Sequence, residues 1–278
     1  MNHKILDNHL CGDKNNFLVD SHTHLDLLAE KGFNIDELIE NAAQNQVKIL
    51  QTIGTKIRNF DEVYQYARKY KNVFASIGIH PCNVEEEEKI KAEDIIEICK
   101  THPKIIGIGE TGLDYFHPGF VKENQITSFV EHIKAARQLD LPVIIHARDA
   151  DADMAKILED EMKKGKFKAL LHCFSSSKEL ALKAVELGIS ISISGIITFK
   201  NATELQNIVR DLPLEFLLVE TDAPYLAPTP HRGKLNQPAF TKHTAEFLAE
   251  LKGVSFEQIC QITTGNFFKL FSSVNDQI

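Results

Sequence analysis

Short apolar runs rich in β-branched residues return eight times along the chain, and this recurrence limits the fold more than any other feature. They are FLVD (17–20), VKILQTIG (47–54), VFASIGI (73–79), KIIGIGE (104–110), PVIIHA (142–147), KALLHCF (168–174), ISISIS (189–194) and EFLLVET (215–221). Runs that are apolar on both faces read as buried parallel strands. Between them lie segments with helical apolar spacing, such as 35–44, 60–70, 125–139 and 177–188. Eight βα units on 278 residues predict a closed (β/α)8 TIM-type barrel rather than an open doubly wound sheet. Ser177 and Gly188 supply a start and a stop for one crossover helix. Two further helices, over 238–253 and 255–271, are expected outside the barrel, the second opened by a capping box of Ser255 and Gln258. The barrel is assigned to residues 16–278, and 1–15 to an N-terminal extension without periodicity.

Composition narrows the function. Hydrophobic residues are 43% and charged residues 25%, which suits an ordinary folded domain. A net charge of −8 argues against capture of duplex DNA along a basic face, although bound cations can supply positive charge locally. The five cysteines are odd in number, scattered and without a C-x-x-C pair, so a reducing, cytoplasmic setting is expected. Neither a membrane span nor an obligatory protein partner is indicated. Cys173 reads as a buried structural thiol on the strand face opposite His172, and the Glu85–Glu88 run as a solvated loop.

Chemistry concentrates where the apolar runs end. The first run leads into Asp20-Ser21-His22-Thr23-His24, and histidines at i and i+2 of an extended segment share a face and can share a metal. Glu110 closes the fourth run, His146 the fifth and His172 the sixth, while Asp222 follows the eighth. All of these positions belong to the C-terminal rim of one barrel, where barrel enzymes place their catalytic groups. His3, His9, His102, His132 and His243 fall in the tail or on helical and loop positions and receive no catalytic role. His117, in the loop after the fourth run, reads as a solvated surface histidine.

The motifs DSHTHLD (20–26), GIHP (78–81), GETGLDY (109–115), HARDA (146–150), HCFS (172–175), ETDAPYLAP (220–228) and HRGKLNQP (231–238) occur in this order. In them the chain closely resembles the TatD-type metal-dependent deoxyribonucleases of the amidohydrolase superfamily. The resemblance implies two divalent cations, with zinc, magnesium, manganese or cobalt as candidates. It assigns His22, His24 and Asp222 to one ion, His146 and His172 to the other, and Glu110 to a bridge between them. Glu in GETGLDY distinguishes this branch from relatives that bridge with a carboxylated lysine. The chain departs from the family pattern at HCFSSS, where glycine commonly follows HCFS, and in its N-terminal extension.

The expected substrate is DNA, cleaved at phosphodiester bonds of ends or single strands. Asp222 and Glu110 are the expected catalytic carboxylates, Asp222 also accepting a proton from water. Arg148, two residues after His146, suits bidentate phosphate recognition, and His80, Arg232 and Asn236 are further candidates for substrate contact. Asp20, Asp26 and Asp114 are expected to fix ligands and loops by hydrogen bonds. The rival readings are an ester or amide hydrolase, including a D-aminoacyl-tRNA deacylase, and an inactive barrel serving as a scaffold.

Overall fold

The apolar runs become eight strands in a computed structural model that describes residues 16–87 and 89–277. The extension assigned to 1–15 lies outside the described residues. The strands are β1 (Leu18–Thr23), β2 (Val47–Ile53), β3 (Val73–Ile77), β4 (Ile105–Asp114), β5 (Val143–Arg148), β6 (Ala169–Leu171), β7 (Ser190–Ile193) and β8 (Leu217–Val219). Each pairs in parallel with the next, in the order β1 to β8. Closure falls just past β8, where Thr23 forms a parallel bridge with Ala223 and the Asp222 N–H donates to the His22 carbonyl at 2.9 Å. The Ser21 hydroxyl donates to the Val219 carbonyl at 3.0 Å. The (β/α)8 barrel expected from the sequence is thus the observed architecture.

The outer ring consists of α1 (Leu25–Glu30), α2 (Ile35–Gln44), α3 (Phe60–Lys69), α4 (Ala92–Thr101), α5 (Lys122–Leu139), α6 (Asp151–Lys164), α7 (Lys178–Glu186) and α8 (Thr203–Asp211), followed by α9 (Thr241–Lys252) and α10 (Phe256–Leu270). Ser177 caps α7 by accepting from Leu180 N–H, and Gly188 follows it at φ +77°. Ser255 and Gln258 exchange the two bonds of a capping box at the start of α10.

Two apolar layers result. One fills the space between strands and helices, with Leu50, Ile77, Ile108, Ile145, Phe129 and Leu158 among its members. The other lies inside the barrel and corrects an expectation about the C-terminus. Phe267, Leu270 and Phe271 of α10, with Val274 after it, join Val19, Ile49, Phe74, Ile106, Ile144, Leu170 and Leu218 in one buried cluster. A Cβ on Gly107 would stand 3.2 Å from the Phe271 ring, so α10 stoppers the lower mouth instead of lying outside the wall. The apolar spacing of 255–271 could not reveal this, because a stopper and an outer helix need the same amphipathic stripe.

Two ladder irregularities aim the rim. The register slips between Asp20 and Thr23 in β1 and between Ile108 and Thr111 in β4, and such a bulge redirects the side chains beside it. In β4 the slip is flanked by Gly109 at φ +137° and Gly112 at φ +142°. A Cβ at either would stand 2.4 Å from the Ile144 carbonyl oxygen or 2.1 Å from that of His146. Only glycine lets β4 run this close to β5 while it carries Glu110 between them.

Of the glutamate run, Glu88 lies outside the described residues, and Glu85, Glu86 and Glu87 are more than a solvated loop. Glu85 accepts from Val121 N–H and Asn124, Glu86 pairs with Lys56 and Arg58, and Glu87 accepts from the backbone of Ile57 and Arg58. Its charges tie the loop after β3 to its neighbours. No helix among the described residues is long and apolar enough to cross a membrane.

Candidate metal centre

The rim gathers the six residues expected to ligate metal around one carboxylate. Glu110 is 3% exposed, and its two oxygens face different neighbours. Oε2 lies 3.4 Å from His22 Nε2 and 4.0 Å from His24 Nε2. Oε1 lies 2.8 Å from His172 Nε2, 3.0 Å from His146 Nδ1 and 3.4 Å from His80 Nε2. Asp222 Oδ1 completes the first group, 3.4 Å from His24 Nε2 and 3.7 Å from His22 Nε2. His172 stands between the groups, its ring stacked 3.8 Å from that of His22. His80, expected to contact substrate, is inside the cluster, with Nε2 3.3 Å from His146 Nδ1.

This donor set fits a cation. Nδ1 and Nε2 of His22, Nδ1 of His24 and both ring nitrogens of His172 are buried without a well-directed hydrogen bond among the described residues. An orphaned polar atom in a dry site costs about 1–3 kcal/mol, so five together are hard to account for without a ligand on the imidazole lone pairs. The triads His22–His24–Glu110, His22–His172–Asp222 and His80–Glu110–His146 each bring their donor atoms within 4.8 Å of one another, close enough to share an ion.

Charge follows the geometry. Burial disfavours an ionised Glu110, but the charges of His172 and His80 and the hydrogen bond from His146 outweigh it and hold the carboxyl well below its ordinary value. Burial likewise works against a charged His24, yet the hydrogen bond and charge of Asp222 lift that imidazole to about 9. Asp222 is correspondingly held down, chiefly by its bond to His24 against the penalty of burial. Burial pushes His80 down to about 3 and, with the nearby His172 charge, lowers His22. Cations would replace the protons that balance these charges here.

Several residues hold the donors in place. Asp114 Oδ2 lies 3.0 Å from His146 Nε2, which leaves His146 Nδ1 turned to Glu110. Asp20 accepts from Thr221 N–H at 2.8 Å and from its hydroxyl at 2.6 Å, fixing the backbone next to Asp222. Glu220, to which the sequence reading gave no role, approaches His172 Nδ1 at 3.4 Å and accepts from Cys173 N–H at 2.7 Å. The sequence carries a signal for it, since Glu220 follows the last apolar residue of the eighth run, two residues before Asp222. His132 was also passed over. Its Nε2 accepts the Ile79 N–H at 3.1 Å while Nδ1 meets the Ser128 carbonyl at 2.7 Å, anchoring the loop that carries His80.

The outer candidates divide. Arg148 and Arg232 are exposed, form no ion pair among the described residues, and stack on Phe116 at 3.8 Å and Phe199 at 4.4 Å. A cleft of about 780 Å³ beside Arg148 is lined by Asp149, Asp151, Ser175, Ser176, Phe199 and Glu204, among others. Asn236 corrects its expected role. It is fully buried, and its side-chain N–H groups are spent on the carbonyls of Thr221 and Tyr225, so it shapes the loop after β8 and presents no donor to a substrate. Cys173 also differs from expectation. The strand ends at Leu171, Cys173 sits at φ +45°, and its thiol is half-buried 3.2 Å from the Ser194 hydroxyl.

Comparison with known proteins agrees with this arrangement. A family model described as TatD related DNase matches residues 19–272. The uncharacterized metal-dependent hydrolase YcfH of Escherichia coli K12 is 43% identical over 257 residues, covering 92% of this chain and 96% of its own. YabD of Bacillus subtilis, likewise an uncharacterized metal-dependent hydrolase, is 36% identical over 91% of this chain and 98% of its own. The crystal structure of the Escherichia coli K12 TatD homologue YjjV superposes with a TM-score of 0.86 at 30% identity, covering 93% of this chain and 99% of that one. The chain therefore belongs to the TatD family of metal-dependent hydrolases.

Proposed function

We propose that this chain hydrolyses phosphodiester bonds of DNA, at ends or in single strands, with two divalent cations drawn from zinc, manganese, magnesium and cobalt. Glu110 carries the proposal: one buried carboxylate turns an oxygen to each of two donor groups, as a pair of cations about 3.5–4 Å apart requires. Bound there, such cations would supply Lewis acidity toward a phosphoryl oxygen and toward water. His22, His24 and Asp222 would hold one ion and His146 and His172 the other, with His80 alongside and Glu110 shared between the two groups. Asp222, whose carboxylate stands at the rim beside His24, would accept the proton of the attacking water. Arg148 and Arg232 meet the phosphates, each held flat by its aromatic neighbour and without an ion-pair partner among the described residues.

Preference for unpaired strands is supported by the net charge of −8 and by exposed aromatic groups. Phe116 and Tyr225 are 55% and 51% exposed, and Tyr225 approaches the His24 ring. Flat exposed rings stack on bases that no partner strand covers. A second reading has one observation in its favour: Asp149, Asp151 and Glu204 line the cleft beside Arg148, and three carboxylates suit the amine of a D-aminoacyl ester.

The deciding experiment is a metal-reconstituted assay comparing single-stranded DNA, duplex DNA, RNA and D-aminoacyl-tRNA, with a Glu110→Ala protein as control. Fastest turnover of single-stranded DNA, lost in the variant, is the expected result. Hydrolysis of the aminoacyl ester alone would transfer the proposal to the second reading, and an inert protein binding stoichiometric metal would point to a scaffold.

A further inference from the structure

Beside the centre, and outside the ligand set just described, a second group of donors converges. Cys82 Sγ lies 3.5 Å from His117 Nδ1, and that nitrogen lies 2.9 Å from Asp114 Oδ2. All three donor atoms are within 4.8 Å of one another. Cys82 and His117 are exposed, whereas Asp114 is fully buried.

The group is built by the fold and is not a chance meeting of surface side chains. Cys82 belongs to a short 3-10 turn, Pro81–Asn83, directly after His80. Gln125 of α5, which is 1% exposed, accepts from Asp114 N–H at 3.0 Å and donates to the carbonyls of Asp114 and Pro81 at 3.1 and 3.3 Å. One buried amide thus locks the turn carrying the thiol to the strand end carrying the carboxylate. Asp114 Oδ1 in turn accepts the N–H groups of Phe116 and His117, both at 3.0 Å, which fixes the backbone beneath the imidazole. Every contributor is therefore positioned before any ligand arrives.

The spacing suits a tetrahedral d10 cation. Bond lengths of about 2.3 Å to sulfur and about 2.0 Å to nitrogen or oxygen, at the tetrahedral angle, place S and N about 3.6 Å apart and N and O about 3.3 Å apart. The observed separations are 3.5 and 2.9 Å. We infer that Cys82, Asp114 and His117 form an additional site for a thiophilic divalent cation such as zinc or cadmium, separate from the centre around Glu110. On binding, the Cys82 S–H proton leaves to solvent, the Nδ1 proton that His117 donates to Asp114 is also given up to solvent while the imidazole carries its one proton on Nε2, and Nδ1 and the freed Asp114 oxygen turn to the ion. The coordination position facing solvent stays open to water or an anionic ligand. Asp114 Oδ2 also meets His146 Nε2 at 3.0 Å, so one carboxylate oxygen is common to both sites.

Cadmium titration of the full chain tests the inference, because a thiolate–Cd²⁺ bond has its own ultraviolet charge-transfer band. The wild-type protein is expected to develop the band of one thiolate and to retain one more ion per chain than Cys82→Ser after gel filtration. The band is expected to vanish in Cys82→Ser, to need at least about tenfold more cadmium in His117→Ala, and to persist in Cys173→Ser. Cys82→Ser keeps the basal hydrolytic activity of the main centre. Glu110→Ala, which dismantles that centre, still gives the band, so this site succeeds or fails independently of the proposed reaction. Equal stoichiometry and an equal band in wild type and Cys82→Ser would overturn the inference, as would a wild-type protein that develops no band.

Discussion

The two mouths of the barrel are opposites in chemistry. The lower mouth is sealed by Phe267, Leu270, Phe271 and Val274 against apolar strand residues. The upper mouth holds five buried imidazole nitrogens without well-directed partners, from His22, His24 and His172. Backbone follows the same division. Gln46 and Asp140 reach positive φ just past α2 and α5, where helices commonly end that way. At the other end Asp149, Cys173, Asp222 and Leu226 do so in loops that follow strands, and a left-handed Leu or Cys is strained. Stability is concentrated at one end, and strain with unsatisfied donors is tolerated at the other. The difference gives each end its own expected response to mutation.

Glu110→Gln is the strongest way to break that contrast. Neutralising the shared carboxylate removes a contact to both donor groups, so ion content should fall below the wild-type level and turnover by on the order of 10³-fold or more. Thermal unfolding of the metal-free variant near neutral pH should occur below the wild-type temperature, since the charge of Glu110 balances the imidazoles around it and holds their protons in the folded state. A metal-free variant melting at or above the wild-type temperature would show that the charges of the upper mouth contribute nothing to stability. At the lower mouth, Phe271→Ala should give the converse: a loss of about 3–5 kcal/mol in denaturant unfolding, with kcat per folded molecule unchanged. A change in kcat at full folding would mean that the stopper also sets the position of the metal centre.

How much of this was legible in the sequence differs between the ends for the same physical reasons. Parallel strands buried on both faces must be apolar runs, so β1 to β8 announced themselves, and rim residues follow directly from where the runs stop. The stopper was misplaced because Phe267 and Phe271 repeat at a spacing that any amphipathic helix would show. Glu220, Gln125 and Asn236 were missed or misread because each acts through side-chain bonds to backbone far away in sequence, and such contacts have no period. Asn236 is the clearest case: its position in HRGKLNQP suggested a loop over the substrate, while its amide is consumed by the carbonyls of Thr221 and Tyr225. His132 was set aside as a helical histidine, yet it joins α5 to the loop of His80.

His132 offers a measurement between the two extremes, because it belongs to the wall yet supports the rim. Burial pushes its imidazole down to about 4 from an ordinary 6.5, and Nε2 must be unprotonated to accept the Ile79 N–H. The unfolded chain therefore takes up this proton at a higher pH than the folded one. Its contribution is fully present above about pH 6.5 and is lost as the pH falls toward 4, by up to on the order of 3 kcal/mol. In the metal-free protein, His132→Gln should flatten the wild-type decline in stability across that window. Parallel stability curves for the two proteins between pH 6.5 and 4 would remove His132 from the account.

The smallest effect expected is at the outermost part of the rim and separates substrate contact from scaffolding. Arg148 stacks on Phe116 without a carboxylate partner among the described residues, so truncating it strands no buried charge and should barely alter stability. If its guanidinium meets a phosphate, Arg148→Ala should raise KM for single-stranded DNA by about tenfold, roughly 1–2 kcal/mol, and should lower the salt dependence of binding by about one ion. Arg148→Lys keeps the charge but lacks the planar fork that stacks on Phe116 and grips two oxygens, so it should restore the salt slope more fully than the KM. The split matters because an arginine that merely packed the rim would change stability with Phe116 and leave the salt slope alone. Equal KM and equal salt slope in wild type and Arg148→Ala would place phosphate recognition elsewhere, with Arg232 over Phe199 the next group to test.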